Sequence, residues 1–385
     1  MNDEQFVARL FRNYYERAEG LEPPDIHRRE FGVGGWSRKI DSRHLAFRNG
    51  QELRSYLVRN TPFYVSCSSA YYEFPDGRPM ERKGWLGADL VFDLDADHLS
   101  LACIKKGEHV KGWVCGKCID AVRSETVKLI EEFLVPDFGF SKDEISCNFS
   151  GNRGFHVHVR SEGVRQLSAY ARREIVDYVS GVGLHADSIF FRRQAAKLEG
   201  PSPEDPGWYG KIARRFVELL EKEKLLEAGV EPLLARRLYK NKAKVVDGVR
   251  RRNWDVVRLT QDDKLHLTEK VIGSVAVPVE GVGRMGDGID AGVTVDVSKL
   301  VRLPNSLHGE TGLMAKKISV TELQDFDPMK DAVVFSDAPV RVKCQRVPKF
   351  EMRGTEFGPF DGEAVELPEF AAVYLICKRM ASLHG

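Results

Sequence analysis

The stretch Leu90–Leu99, "LVFDLDADHL", decides how the rest of this 385-residue chain is read. Leu90, Phe92 and Leu94 alternate with Val91, Asp93 and Asp95, the pattern of a strand. Period-2 geometry sets Asp93 and Asp95 on one face, roughly 6–7 Å apart along the strand. Asp97 continues the series past the apolar run. Carboxylates resist burial unless a cation compensates them, so the stretch asks which cation waits at the strand end.

The residues leave three answers open. The acids could simply be solvated at an exposed strand end. They could belong to a phosphatase of the haloacid-dehalogenase type, whose apolar strand also ends in D-x-D, although "DLDADHL" lacks the Thr or Val that usually follows. Or they could hold two divalent metals about 3.5–4 Å apart for phosphoryl or nucleotidyl transfer.

Directly after the strand, Cys103, His109, Cys115 and Cys118 occur as C-x5-H-x5-C-x2-C in "CIKKGEHVKGWVCGKC". Three thiolates and an imidazole are a structural zinc complement, and C-x2-C is knuckle spacing. With no vacant ligand position, zinc would stiffen one wall of the site and do no chemistry. The total of 7 cysteines is odd, and Cys67, Cys147, Cys344 and Cys377 are scattered among apolar neighbours. That usage suits a reducing, cytoplasmic setting better than a disulfide framework.

Composition sets wider bounds. With 42% hydrophobic and 30% charged residues the chain reads as soluble and globular. No apolar run approaches the roughly 18–20 residues of a membrane span, so no membrane partner is expected. The N-terminus, "MNDEQFVARLFRNYYERAEG", alternates acids and bases, which reads as an amphipathic helix ending near Gly20 and not as a targeting peptide. Net charge is +1, which neither favours nor excludes a polyanionic partner.

Strand and helix patterns alternate, which predicts a mixed α/β (α+β) class: a core of mixed sheets flanked by helices. A helix is expected in "AVRSETVKLIEEFLV" and a second in "VRQLSAYARREIVDYVS", closing at Gly181. From "PSPEDPGW" the texture becomes helical, and strand signals return only in "VIGSVAVPV" near Val271. The expected organisation is a core of 1–200 and 271–385, carrying the knuckle at 103–118, with a helical insertion over 201–270.

"ISCNFSGNRGFHVHVR" reads as a hairpin, with Phe155, Val157 and Val159 toward the core and His156, His158 and Arg160 opposite. In its turn Ser150 offers a hydroxyl, Gly151 and Gly154 free backbone N–H groups, Arg153 supplies a fork, and His156 projects from the following strand. Together they form a phosphate cradle. Beside paired acids this favours nucleotidyl transfer. His158 reads as a partly wet sheet histidine, and Asp97 and His98 as turn-shaping residues.

A third region, "GIDAGVTVDVSKLVRLPNSLHGETGLMAKKI", offers His308 in a tight turn, Arg302 before it, and Lys316 and Lys317 after it. Asp296 precedes the helix-like "VSKLVRL", where an N-cap role suffices. Asp290 follows "DGI" in an extended stretch with no such local use.

"LVFDLDADHL", "FSGNRGFHVHV" and "RLPNSLHGETGL", in this order with the Cys/His knuckle after the first, resemble the catalytic small subunit of archaeal and eukaryotic DNA primases, the archaeal branch most closely. The resemblance runs from "RREFGVGGW", Arg28 to Trp36, through at least Ile318 and weakens towards the C-terminus. It implies a primase-type core in which Asp93 and Asp95 bind two catalytic ions, Mg²⁺ or Mn²⁺. The family's third metal acid lies eighteen residues before the turn histidine, which selects Asp290. Ser150, Arg153 and His156 would hold the triphosphate of a nucleoside triphosphate, with Arg302 and His308 adding phosphate contacts. Glu30 of "REF" and Arg43 of "DSRHLAF" match positions near the nucleotide more loosely. Where the family often has Lys after His-Gly, this chain has Glu310, so that position is given no phosphate role.

The resemblance further implies primer synthesis, of RNA with DNA left open, on a single-stranded DNA template during replication, in a heterodimer with a primase large subunit. Template contacts are expected through the sugar–phosphate backbone. Candidates are Lys105, Lys106 and Lys111, or the run Arg236, Arg237, Lys240, Lys242, Lys244, Arg250, Arg251 and Arg252, for which a solvated helix face is an equal alternative. Two other functions stay open: a zinc-containing nucleic-acid-binding protein without catalysis, and a repair-type primase-polymerase of the same superfamily.

Overall fold

A computed structural model describes residues 1–99, 113–193, 197–278 and 289–384. They form two compact units: Met1–Ile130 with Phe140–Arg173 and Gly288–Gly385, and Glu131–Gly139 with Glu174–Asp287.

In the first unit the strands up to residue 159 are β1 (Phe31–Gly34), β2 (Ser42–Leu45), β3 (Tyr64–Ser68), β4 (Ala70–Tyr72), β5 (Trp85–Ala88), β6 (Leu90–Asp95), β7 (Ile145–Phe149) and β8 (Gly154–Val159). The second unit contributes β9 (Phe191–Arg193) and β10 (Lys197–Glu199), and the first resumes with β11 (Leu300–Arg302) and β12 (Lys317–Ile318). Two four-stranded sheets organise the first unit, in the orders β11-β3-β1-β2 and β12-β7-β8-β6. The mixed α/β class is met. The sheets are not of mixed direction, however, because every described pairing is antiparallel. β7 returns to β8 through a tight turn, the connection that only an antiparallel pair allows.

β6 forms because Leu90, Val91, Phe92 and Leu94 are all buried, covered on both faces until Asp93 and Asp95 reach partial exposure. The helix Gly116–Lys128 lies against β6 and β8 and buries Cys118, Ile119 and Val122. Beneath the start of β6, buried Asp89 accepts hydrogen bonds from Arg29 at 2.9 Å, Tyr71 at 2.5 Å and Arg160 at 3.2 Å. A buried carboxylate is tolerated when it is multiply bonded in this way, and the network fixes the strand that carries the acids.

The segment from β11 to β12 connects the two sheets. β11 pairs with β3, placing Arg302 opposite Ser66, and β12 pairs with β7, placing Lys317 opposite Asn148. Between them the chain folds back through a bridge from Leu307 to Met314, with His308 and Glu310 in the turn. The stretch "VSKLVRL" is therefore a turn and a strand, not the helix its spacing suggests: pairing with β3 overrides local periodicity. The N-terminal helix Asp3–Arg17, closed by a capping box of Asn2 and Gln5, braces this segment. Its Tyr14 hydroxyl donates to the Asn305 carbonyl at 2.6 Å, and its Tyr15 hydroxyl accepts from Leu307 N–H at 3.3 Å.

The C-terminal part adds β13 (Pro339–Cys344), β14 (Phe350–Met352), β15 (Thr355–Phe357), β16 (Ala364–Pro368) and β17 (Ala381–Leu383). Between the last two runs the helix Glu369–Cys377, buried from Phe370 onward.

The second unit is mainly helical: Gly207–Glu221, Pro232–Lys240, Lys242–Arg250 and Gln261–Val275. Phe190 and Phe216 pack on Trp254, and a buried Lys211–Asp137 pair at 2.7 Å ties in the segment around Asp137. The insertion expected over 201–270 falls within this unit, which begins earlier in the chain. "VIGSV" is not a strand but the end of the Gln261–Val275 helix. Thr260 and Asp263 cap it, and Leu267, Val271 and Val275 form its buried face at i, i+4 spacing, which outweighs the β-branched content.

Candidate active site

The acids gather at the end of β6. Asp93 lies opposite His156 of β8, and Asp95 lies opposite Gly154. The outer edge of β6 is closed by a bridge from Leu94 to Ile289, and the Asp290 N–H donates to the Asp93 carbonyl at 2.9 Å. Residues almost two hundred positions apart are thereby pinned to one strand end. Asp290 also has the local use that the sequence did not suggest: its Oδ1 accepts from Gly292 N–H at 2.8 Å as the N-cap of the short helix Ala291–Val295. Asp296 caps a turn, accepting from Ser298 N–H and Oγ at 2.9 and 2.7 Å. Capping therefore does not separate the two acids; the bond to β6 does.

Cations hold these carboxylates. Arg153 Nε lies 2.9 Å from Asp95 and its Nη1 2.5 Å from Asp97, so one fork spans both acids. Lys299 stands 3.3 Å from Asp290 and His156 Nε2 stands 3.4 Å from Asp93. Among the described residues no group of three or more His, Cys, Asp or Glu side chains is gathered around a metal position.

The 150 turn is built more tightly than expected. The Ser150 hydroxyl oxygen accepts from Gly154 N–H at 3.1 Å and from Asn152 N–H at 3.4 Å, so these groups close the turn on itself. Gly151 has φ +85°, and a Cβ there would sit 2.8 Å from the His308 Cβ. That close approach, with a bond from the Thr311 hydroxyl to the Gly151 carbonyl at 2.5 Å, butts the 150 turn against the 308 turn.

His156 is buried, and burial, then the field of Arg302, lowers its pKa to about 4. It is neutral at physiological pH, with Asn148 Nδ2 3.4 Å from its Nδ1. A proton on Nε2 lets it donate toward Asp93 while Nδ1 accepts from Asn148. His308 is likewise held well below the usual range, first by burial and then by Arg302, Lys39, Lys378 and Arg153. Its Nδ1 accepts from Glu310 N–H at 3.2 Å and its ring meets Tyr64 edge-on at 5.5 Å. Arg302 lies over the same tyrosine at 5.1 Å and donates to the Val65 carbonyl at 3.3 Å; burial lowers its pKa to about 10, which leaves it charged. These cations create an anion-attracting field beside the acids, in a chain whose net charge is only +1.

Other expected residues are placed differently. Glu30 is fully buried, gripped by Arg43 at 2.8 and 3.2 Å, by His44 N–H at 3.1 Å and by Lys83 at 3.4 Å. It positions Arg43, which also donates to the Ser298 carbonyl at 3.1 Å, and has no surface for a ligand. His158 is not partly wet but buried, with neither ring nitrogen hydrogen-bonded. The face expected to be open is covered at this point.

Of the knuckle, Cys115 and Cys118 stand at the start of the Gly116–Lys128 helix with sulfurs 3.7 Å apart. Cys103, His109, Lys105, Lys106 and Lys111 lie outside the described residues. In the second unit the basic run is largely paired: Arg237 with Asp263, Lys242 with Glu223, Arg250 with Glu221, Arg251 with Asp247 and Arg252 with Asp205. Those residues favour the solvated-face alternative.

Sequence reasoning missed Lys83, Asn148, Tyr64 and Lys378, which stand between or beyond the motifs. No local spacing links them to the acids, and only the pairing of distant strands could have revealed them.

A family model described as "DNA primase small subunit" matches residues 92–320. The DNA primase small subunit PriS of Methanothrix thermoacetophila is 37% identical over 98% of each chain. That of Archaeoglobus fulgidus is 36% identical over 98% of each, and that of Methanococcoides burtonii 35% over 98% of this chain and 97% of its own.

Proposed function

The chain belongs to the DNA primase small-subunit family, and from that premise we propose that Asp93, Asp95 and Asp290 form the metal-binding centre of a nucleotidyl transferase that begins RNA primers on single-stranded DNA. Carboxylate oxygens are the donors that hard divalent ions, Mg²⁺ or Mn²⁺, take. The backbone sets two of the acids on adjacent same-face strand positions with the third bonded to that strand, although among the described residues the side chains are not gathered around one metal position. When bound, such ions activate a 3′-hydroxyl and brace the leaving pyrophosphate.

The chain's own residues prepare that chemistry. Arg153 and Lys299 stand against Asp95 and Asp290. With ions held on those carboxylates, Arg153 would turn its fork toward the triphosphate. Neutral His156 fixes the Asp93 carboxylate by donation. Arg302 holds a positive field at the phosphate end and neutral His308, packed with it on Tyr64, offers its Nε2–H, so that catalysis is mainly positioning and charge stabilisation.

A structural zinc at Cys103, His109, Cys115 and Cys118 is part of the proposal. The 3.7 Å separation of the two described sulfurs supports it, being close to the edge of about 3.8 Å in a tetrahedron with Zn–S bonds of about 2.3 Å. The partners proposed are a primase large subunit, single-stranded template and nucleoside triphosphates, in the cytoplasm, the reducing setting that the odd, scattered cysteine usage suits.

One observation carries the reading: the Asp290 N–H bonded to the Asp93 carbonyl. The test is primer-independent incorporation on single-stranded DNA with ribo- or deoxynucleotides and with Mg²⁺ or Mn²⁺. Asp93→Asn and Asp95→Asn should each lose at least about a hundredfold in rate while melting within a few degrees of the parent. Near-parental incorporation by either variant contradicts the metal assignment.

A further inference from the structure

Two cations of the phosphate end are already engaged, Arg153 by Asp95 and Asp97, and Arg302 by Tyr64 and the Val65 carbonyl. A further one arrives from outside all three motifs. Lys378 is the C-cap of the buried helix Glu369–Cys377, so its backbone position is fixed by that packing. Its Nζ lies 3.4 Å from Asn152 Oδ1, and Asn152 stands between Gly151 and Arg153 in the 150 turn. Asn152 Nδ2 in turn donates to Glu310 Oε2 at 3.1 Å, and Lys39 approaches Glu310 Oε1 at 3.7 Å. Glu310 therefore sits amid Lys378, Lys39 and the Asn152 amide, where the two turns meet.

A cation at a helix C-terminus is ordinarily explained by the helix dipole. Lys378 goes further: its ammonium reaches across to the opposite turn. Burial lowers its pKa to about 8, and Glu310 is the foremost group acting to keep it charged. A largely buried ammonium near Arg153 and His308 costs free energy unless an anion offsets it. A polyphosphate is the anion this group of cations is charged to take, and a carboxylate in its place is its competitor.

We propose that Lys378 is a phosphate-contacting residue of the nucleotide site, and that Glu310 is the counter-ion which the terminal phosphate displaces. The exchange is of ion pairs only: the phosphate takes the Lys378, Asn152 and Lys39 donors, and Glu310, whose side chain is 43% exposed, turns to water. This inference rests on reading the pocket as a nucleoside-triphosphate site. It also accounts for an acid being tolerated at position 310, since Glu310 ties Asn152 and Lys39 together.

The test combines steady-state incorporation with equilibrium dialysis of a labelled nucleoside and its di- and triphosphates without template, on the full chain. Lys378→Gln should raise KM for the nucleotide about tenfold or more, the worth of one charge-assisted hydrogen bond, with a smaller effect on kcat. Lys378→Arg should recover most of that loss. Glu310→Gln should move KM the other way, lowering it severalfold, and should narrow the preference for triphosphate over diphosphate that displacement of Glu310 creates. Should Lys378→Gln fail to fold, the Arg and Glu310 variants still decide. A KM within twofold of the parent for Lys378→Gln, or a raised KM for Glu310→Gln, overturns the proposal. If the parent chain binds triphosphate no better than nucleoside, the pocket reading itself fails; if the parent binds and Lys378→Gln binds equally, only this inference does.

Discussion

His156 and His158 project from the same face of β8 two residues apart, yet meet opposite surroundings. His156 has Asp93 and Asn148 within reach, while His158 has no hydrogen-bonding partner at either nitrogen. Burial, reinforced by Arg160, holds the His158 pKa well below its ordinary value. Above about pH 6.5 the ring is neutral in the folded and unfolded chain alike. Below that, the unfolded chain takes a proton that the folded chain refuses, so stability falls with falling pH by up to about 1.4 kcal/mol per unit for each such histidine. His158→Leu should flatten the decline in unfolding free energy between pH 6 and 5 by about one proton while costing little at pH 7; an unchanged slope would mean that the ring is hydrated in solution. The pairing of these two histidines on one face is legible from alternation alone. Their burial is not, because it depends on what covers the sheet. Glu30 teaches the same: its motif marks it as special, but only the bonds from Arg43, His44 and Lys83 show that it supports the site from below.

At the scale of elements, the site depends on two turns touching. The 150 turn was readable from its glycines, serine and arginine, and the 308 turn from "LHGE". Their junction is carried by Gly151, whose missing side chain leaves room for the His308 Cβ. Gly151→Ala should cost about 1–2 kcal/mol from its positive φ and push the turns apart, raising the nucleotide KM about tenfold. Gly154→Ala meets a different obstacle, a Cβ 2.2 Å from the Leu94 carbonyl oxygen in the neighbouring strand. It should lower stability by about 3 kcal/mol, the upper end of overpacking costs. Thermal melts beside KM measurements separate the two, and a Gly151→Ala enzyme with parental KM would show that the turns do not act together. Two elements were misread for one physical reason. "VSKLVRL" has helical spacing but pairs with β3, and "VIGSV" is β-branched but continues a well-capped helix. Tertiary partners outvoted local preference in both.

Over the whole molecule, charge is balanced in sum and segregated in place. A net charge of +1 conceals acids collected at the end of β6 and cations collected around His308. The three motifs, spaced along more than two hundred residues, announced that convergence, whereas Lys83 and Lys378 could be found only once the chain was folded. What brings the motifs together is the antiparallel route from β6 through Ile289 and Asp290 to β11 and β12. The claim that this route builds one centre is tested most directly by a matched pair of substitutions, Asp290→Asn and Asp296→Asn, assayed for primer-independent synthesis on single-stranded DNA at saturating nucleotide and metal. Both acids cap a turn of backbone, so loss of a cap weighs on the two alike. The expected result is at least a hundredfold loss of rate for Asp290→Asn, about the scale of removing one electrostatic contact from a transition state, against a change of less than about threefold for Asp296→Asn. Equal losses, or the larger loss at Asp296, would contradict the convergence of Asp290 with Asp93 and Asp95.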